Sequence, residues 1–478
     1  VKPVQGSAAS EERLSSGVLG SVDITFMVLA VAAPMAIVVA TMPLAFAFGN
    51  GVGVAGAYLL SGIAITLFAL GYVKIIPLIR NAGAFYAIVS ASFGKVAGLG
   101  SAYVALISYV GLCSATLGAL SYFATDILHS LGMTSVHWGV VALVSIGALA
   151  LLSWFRIDFT AKLLAIALGA EVLAILLLDF AIIVQEGFIA PSIVFAPAAV
   201  FGPGLGVAAI YAFNSVIGFE ATAIYQEEAR NPSITVPRAT YAAIAIVSTF
   251  YIFTAYSFTV AEGTAVGAAA AEDPGHFVFG LASRYLGNWA EIAISALVVT
   301  SAFAAILGLF NNSSRYVYAL ARDRILPSSL ARTRAVNGAP FAAGLPIIAI
   351  LVVTVSSFAL AGLDPLLSLT TALTGFGSVG LMLLLCVTSF AIPVFFLHHN
   401  ARLTVQTALP ILGGVMLAVG SGLSVLNYPL LTGTDSAFIN SLPILLPIIF
   451  AAGAVQATWL KRNRPESYGR IGLSRPVV

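Results

Sequence analysis

The sequence predicts an all-α membrane protein with twelve transmembrane helices, and three observations carry that prediction. Only 8% of the 478 residues are charged while 60% are hydrophobic, against about 25% charged in a soluble domain. Apolar runs long enough to cross the ~30 Å hydrocarbon core recur from end to end. These runs are continuous rather than alternating, and backbone in lipid must satisfy its own hydrogen bonds, so helices are expected rather than the strands of a barrel.

The spans are expected at about 23–48, 52–79, 96–126, 136–154, 159–184, 204–229, 238–261, 288–321, 343–361, 366–397, 406–425 and 441–460, read from apolar runs. They define one transmembrane domain, 21–461, between a polar N-terminal tail, 1–20, and a C-terminal tail, 462–478. The first span is too long for a cleavable signal peptide. With both tails cytoplasmic, every Lys and Arg of the 21 except Arg284 falls in a cytoplasmic loop or tail. That is the bias of the positive-inside rule. It places the protein in the cytoplasmic membrane and explains the basic loops without any nucleic-acid partner.

Local patterns narrow the chemistry. Cys113 and Cys386 lie mid-span as small buried hydrophobes, with no disulfide expected. No His pair has metal-ligand spacing, so no metal or other cofactor is expected. Gly51-Val52-Gly53-Val54-Ala55-Gly56 fits a dinucleotide fingerprint but follows a membrane span instead of a strand. Close helix packing or a tight turn accounts for it better. An enzyme would need a clustered nucleophile, base or metal ligands, and no such constellation is found.

The deep carboxylates are the informative charges, because a bilayer penalises charge at depth. Glu171 lies about 18 Å into the fifth span at 1.5 Å per residue, with no cation near it in sequence. Glu220 lies near the middle of the sixth. Either can carry a proton, so both are candidates for coupling; for Glu171 the alternative is a structural carboxyl bonded to backbone. Asp23, Asp179 and Glu291 are expected near span ends in structural roles.

The sixth span also carries Asn214, Ser215 and Gly218, residues that weaken a helix interior. The first span carries Pro34 and Pro43. Each span is therefore expected to be interrupted, and in a bilayer a break persists only where protein or a hydrated cavity covers it. Paired interruptions five spans apart are the sequence pointer to a carrier site.

"FNSVIGFEATAIYQEEARNPSITVPRA" (213–239) resembles the sixth-span signature of the amino acid–polyamine–organocation superfamily. "NNSSRYVYALARDRILPSSLA" (311–331) is similar to that family's end of the eighth span, and "NAGAFYAIVSASFG" (81–94) to its loop into the third. The resemblance implies a five-plus-five inverted repeat, about 21–184 and 204–397, with added helices at about 406–460. It implies alternating access around a site at the breaks of spans one and six. By position, the lining would be Ala33, Pro34, Met35 and Ala36 in the first span and Ser108, Tyr109 and Cys113 in the third. The sixth would give Phe213, Asn214, Ser215, Ile217 and Gly218, and the eighth Leu309 with Ser301 and Ala305. Tyr109, Phe213 and Phe219 are candidates for gating or side-chain contact, with ordinary core packing as the alternative, and Asn214 for specificity.

Two departures from the family pattern stand out. Many members have Gly-Ser-Gly at the first break, where bare amides hold a substrate carboxylate; here Pro34 offers no amide. Several proton-coupled members have a fifth-span lysine where this chain has Glu171. The positions that would complete a sodium site, Ser301, Ala304 and Ala305, offer one side-chain oxygen. The expectation is a proton-coupled or exchanging carrier for an amino acid or small amine, with protons and the lipid bilayer as its other partners. A polyamine carrier, a sodium symporter and, from another class, a channel are the alternatives. The substrate, the coupling ion and the oligomeric state are not legible.

Overall fold

The computed structural model describes residues 19–79, 85–152, 157–220, 222, 226, 229–333, 341–399, 404–432 and 436–472. Most of the N-terminal tail and the last six residues lie outside these residues, as do Arg80, Arg156, Arg334 and Arg402 of the topology-setting cations. So do Asn81 to Ala84 and Glu227 and Glu228 of the family-like segments.

The described chain is helical apart from turns and one isolated bridge, Leu19 with Ala229. The principal helices are α1 (Ser21–Ala32), α2 (Met42–Phe48), α3 (Val54–Ile75), α4 (Phe85–Phe93), α5 (Lys95–Ser130), α6 (Trp138–Leu152), α7 (Ile157–Glu186) and α8 (Leu205–Val216). There follow α9 (Pro232–Glu262), α10 (Phe277–Leu286), α11 (Asn288–Arg322), α12 (Phe341–Leu360), α13 (Thr371–His398), α14 (Pro410–Leu426) and α15 (Leu445–Asn463). The long helix α5 is the central column, and α11, α13 and α15 pack along it.

The expected twelve spans are corrected to ten. Among the described residues, ten helical stretches are long and apolar enough to cross a membrane. The two that fall short are α6, with 15 residues, and α8, with 12. At 1.5 Å per residue they reach only about 22 and 18 Å. For α8 the reason is physical: the apolar run continues past Val216, but Ile217 turns extended (φ −58°, ψ 139°) and the helix ends. An apolar run predicts burial in lipid, not an unbroken helix. An all-α fold with ten such helices and a bent first helix is consistent with a five-plus-five inverted repeat.

The bend in the first span begins at Ala33, a left-handed residue (φ 41°, ψ 67°). Pro34 follows at the first position of the next turn, where its missing N–H costs nothing. The turn Pro34–Ala36 widens into a π-helical segment, Ile37–Thr41, before α2. That wide turn precedes Pro43, whose ring cannot sit against the carbonyl four residues back. The glycine-rich motif at 51–56 forms a 3-10 turn, Gly51–Gly53. A Cβ on Gly53 would stand 2.1 Å from the Ala199 carbonyl oxygen, so close approach of backbone explains this glycine.

Candidate functional site

At the first break the helix ladder leaves both carbonyls and amides to find partners elsewhere. The Ala32 carbonyl accepts from the Tyr251 hydroxyl of α9 at 2.9 Å. The Ala36 amide donates to the Ser301 hydroxyl of α11 at 3.3 Å. The carboxylate of Glu171, from α7, faces that same hydroxyl and the Met35 amide. Glu171 is 2% exposed.

The second break is built differently. Gly218 has φ +117°, a conformation that other residues rarely adopt. Its amide donates to Glu220 Oε2 at 2.8 Å. The other oxygen, Oε1, accepts from the Tyr109 hydroxyl of α5 at 2.6 Å. The Glu220 backbone carbonyl accepts from the Tyr72 hydroxyl of α3 at 3.1 Å.

The two breaks thus share a pattern: a tyrosine hydroxyl on a freed carbonyl and a carboxylate on a freed amide. The tyrosines come from the second and seventh spans, counted on the expected twelve, so they too are five apart. The first break is capped by a tyrosine of α9 and the second by a tyrosine of α3, an exchange consistent with an inverted repeat.

Between the breaks lies a cavity of about 50 Å³. Ala33 and Ala36 border it from the first break, Asn214 and Ile217 from the second, and Ala305 and Leu309 from α11. Its α5 wall is Leu112, Thr116 and Ala119, and Thr370 and Thr374 close it from the tenth run. Among the described residues, those that border it include no charged side chain.

The other expected lining residues stand elsewhere. Pro34 and Met35 shape the first break without bordering the cavity. Ser108 bonds the Val104 carbonyl at 2.7 Å, Cys113 approaches the Ile306 carbonyl at 3.7 Å, and Ser215 bonds the Ala212 carbonyl at 2.7 Å. Phe213 packs beside Gly420 of α14. Tyr109 and Gly218 meet at Glu220, one layer behind the wall. Phe219 packs edge-on against Phe68 and Tyr72. Asn214 takes part in both the cavity and a contact to α13, accepting from Ser378 at 3.3 Å. Asp179, expected near a span end, is fully buried and accepts from Thr254 at 2.8 Å.

Sequence reasoning passed over Thr116, Thr370 and Thr374. The available signal was the hydroxyl-rich stretch Ser368 to Thr374 at the start of the tenth apolar run. It sits partly in a second π-helical segment, Pro365–Thr370.

Two interrupted spans around a buried polar-edged cavity define a carrier-type membrane fold. The profile of the amino acid permease family matches residues 19–453. The chain belongs to that family, within the amino acid–polyamine–organocation superfamily, a group of permeases rather than enzymes. It is 26% identical over 307 residues to the branched-chain amino acid permease BcaP of Lactococcus lactis subsp. cremoris strain MG1363, covering 60% of this chain and 64% of that one. Cationic amino acid transporter 5 of Arabidopsis thaliana is 27% identical over 338 residues, 67% of this chain and 56% of that one. BcaP of Bacillus subtilis strain 168 is 22% identical over 354 residues, 70% and 74% of the two chains. The chain therefore spans just under two thirds of the length of the first relative and little more than half of the second.

Proposed function

We propose that this protein is a secondary carrier that moves a small neutral amino acid with an aliphatic side chain by alternating access, coupled to protons. The observation that carries this reading is the cavity between the breaks. Its wall, among the described residues, is alanine, leucine and isoleucine with threonine hydroxyls and one asparagine amide, and these offer no charge to pair with a cationic side chain. Apolar walls with a few polar groups suit an aliphatic side chain on a zwitterion. The name of the two bacterial relatives, branched-chain amino acid permease, agrees with it.

What Glu171 faces supports a coupling role for it. Its carboxylate holds the Met35 amide, which a substrate carboxylate would reach once the first break opens toward the cavity. A charge-assisted hydrogen bond is roughly twice as strong as a neutral one. Once protonated, Glu171 releases the Met35 amide, and the substrate carboxylate takes its place. Proton and substrate then bind together, which is symport. Glu220 acts as the gate at the second break through Tyr109. The distribution of Lys and Arg supports both tails on the cytoplasmic side of the cell membrane.

A second reading, a carrier of cationic amino acids or amines, is favoured by the two carboxylates one layer behind the wall. The name of the Arabidopsis relative agrees with that reading. Uptake into proteoliposomes separates them. Labelled leucine, valine, arginine, lysine and putrescine are offered under an inward proton gradient, a sodium gradient or none. The first reading expects leucine and valine to accumulate with the proton gradient alone. Accumulation of arginine or putrescine without leucine would sink it.

A further inference from the structure

Helix α11 does not end its polar character at the cavity. Ala305 and Leu309 border the cavity, and Asn312 and Tyr316 follow at spacings that keep them on the same face. Asn312 lies about 10 Å along the axis from Ala305, toward Asp323. On α5 the same descent runs from Leu112, which borders the cavity, to Tyr109. The two descending faces meet, because the rings of Tyr109 and Tyr316 stand 5.7 Å apart. On this side Asn312, Tyr316 and Tyr109 thus lie one layer beyond the residues that border the cavity, with Glu220 bonded to Tyr109.

Asn312 is fully buried, and neither its amide nitrogen nor its amide oxygen has a hydrogen-bond partner among the described residues. Buried polar groups are nearly always paired, so an amide with both ends free calls for a specific reason. It contributes no bond to the packing of its own helix or its neighbours. It does present one donor and one acceptor position, the two polarities a zwitterion requires.

We infer that Asn312, together with Tyr109 and Glu220, forms a second amino-acid-binding station between the central cavity and the Asp323 end of the protein, occupied by the zwitterion in transit. The inference rests on the carrier reading above. When the Tyr109–Glu220 bond opens, Glu220 and Asn312 Oδ1 accept from the substrate ammonium. Asn312 Nδ2 and the Tyr109 hydroxyl donate to its carboxylate. Occupancy of the station needs the gate bond broken, so binding there and opening of the passage are one event.

The test uses the full chain with labelled leucine. Asn312→Leu removes both polar atoms at nearly constant volume, and Asn312→Ser retains one hydroxyl. Binding in detergent, counterflow in proteoliposomes and the thermal midpoint are measured for each. The expected result for Asn312→Leu is a leucine Kd within twofold of wild type, an unchanged or higher midpoint, and counterflow at least tenfold slower. Asn312→Ser falls between, and it is read by the same criteria alone if Asn312→Leu does not fold. Wild-type counterflow in the variants overturns the station, as does a parallel loss of binding, rate and midpoint, which marks a structural residue. A wild-type chain that moves no amino acid overturns the carrier reading itself, and the station with it.

Discussion

The two breaks solve one problem with opposite economies. Each must satisfy the amides and carbonyls that an interrupted helix leaves in lipid. The first is satisfied from outside: Glu171 reaches it from α7, Ser301 from α11 and Tyr251 from α9. The second is largely satisfied from within, because Glu220 folds back on the Gly218 amide two residues away. A cap supplied by another helix can be released by a change on that helix alone. A cap supplied locally moves with its own break. The first break is therefore suited to sensing a proton, and the second to acting as a door whose hinge, Gly218, and latch, Glu220, share one short segment.

The largest effect should come from exchanging the two carboxylates for amides. Glu171→Gln is expected to reduce proton-driven accumulation at least tenfold while leaving counterflow within about threefold, because the break keeps a neutral partner but loses its titration. Glu220→Gln should impair both modes together by about tenfold, since a charge-assisted bond to Tyr109, worth roughly 1.5–3 kcal/mol, is weakened. Accumulation and counterflow in matched proteoliposomes decide it. Equal responses of both modes to Glu171→Gln would erase the distinction between the breaks.

A smaller and more symmetrical effect should follow from the two capping tyrosines. Tyr251→Phe and Tyr72→Phe each remove one hydroxyl from a break carbonyl, at a net cost of about 1 kcal/mol. Rates should change by about fivefold, and by similar amounts in the two variants if the halves are true counterparts. An effect confined to one tyrosine would show that the correspondence is positional only. Initial uptake rates at saturating substrate supply the comparison.

How much of this was legible in the sequence differs between the same two regions. Pro34 and Gly218 announce the breaks because proline and glycine act locally on the backbone, and the depth of Glu171 and Glu220 follows from counting residues. The partners were not legible. Tyr251 is 219 residues from Ala32 and Tyr72 is 148 residues from Glu220, and nothing beside either tyrosine marks it among the others. Asn312 reads as one more polar residue near a span end until the helix face it shares with Ala305 is known. The span count failed for a related reason. Hydropathy records where a chain is buried, whereas Ile217 and Gly218 decide where its helix stops.

The smallest effect on transport concerns what lies beyond the second break. From Tyr109 a series of rings runs through Tyr316 to Tyr86, with centroids 5.7 and 6.3 Å apart. Tyr86 then donates to Asp323 Oδ2 at 3.1 Å. Asp323 lies just past the last turn of α11, and burial pushes its carboxyl up to about 6, opposed by Arg322, the Tyr86 hydroxyl, the Gly472 amide and Arg470. Lys95 faces it as well. A carboxyl raised in the folded protein favours its protonated form there, so its contribution to stability is complete below the ordinary value near 3.8 and is lost as pH rises through about 6. At about 1.4 kcal/mol per unit the loss is at most on the order of 3 kcal/mol. Asp323→Asn keeps an acceptor for Tyr86 and Gly472 but removes the titration. The thermal midpoint of the wild type should therefore fall by about a few degrees relative to Asp323→Asn between pH 4.5 and 7. If this end of the molecule supports the second break and not the first, the same pH change should slow counterflow in the wild type and in Glu171→Gln alike. Parallel melting curves for wild type and Asp323→Asn would show that the buried carboxyl does not titrate in this range. Counterflow that responds to pH only while Glu171 is intact would assign the dependence to the first break instead.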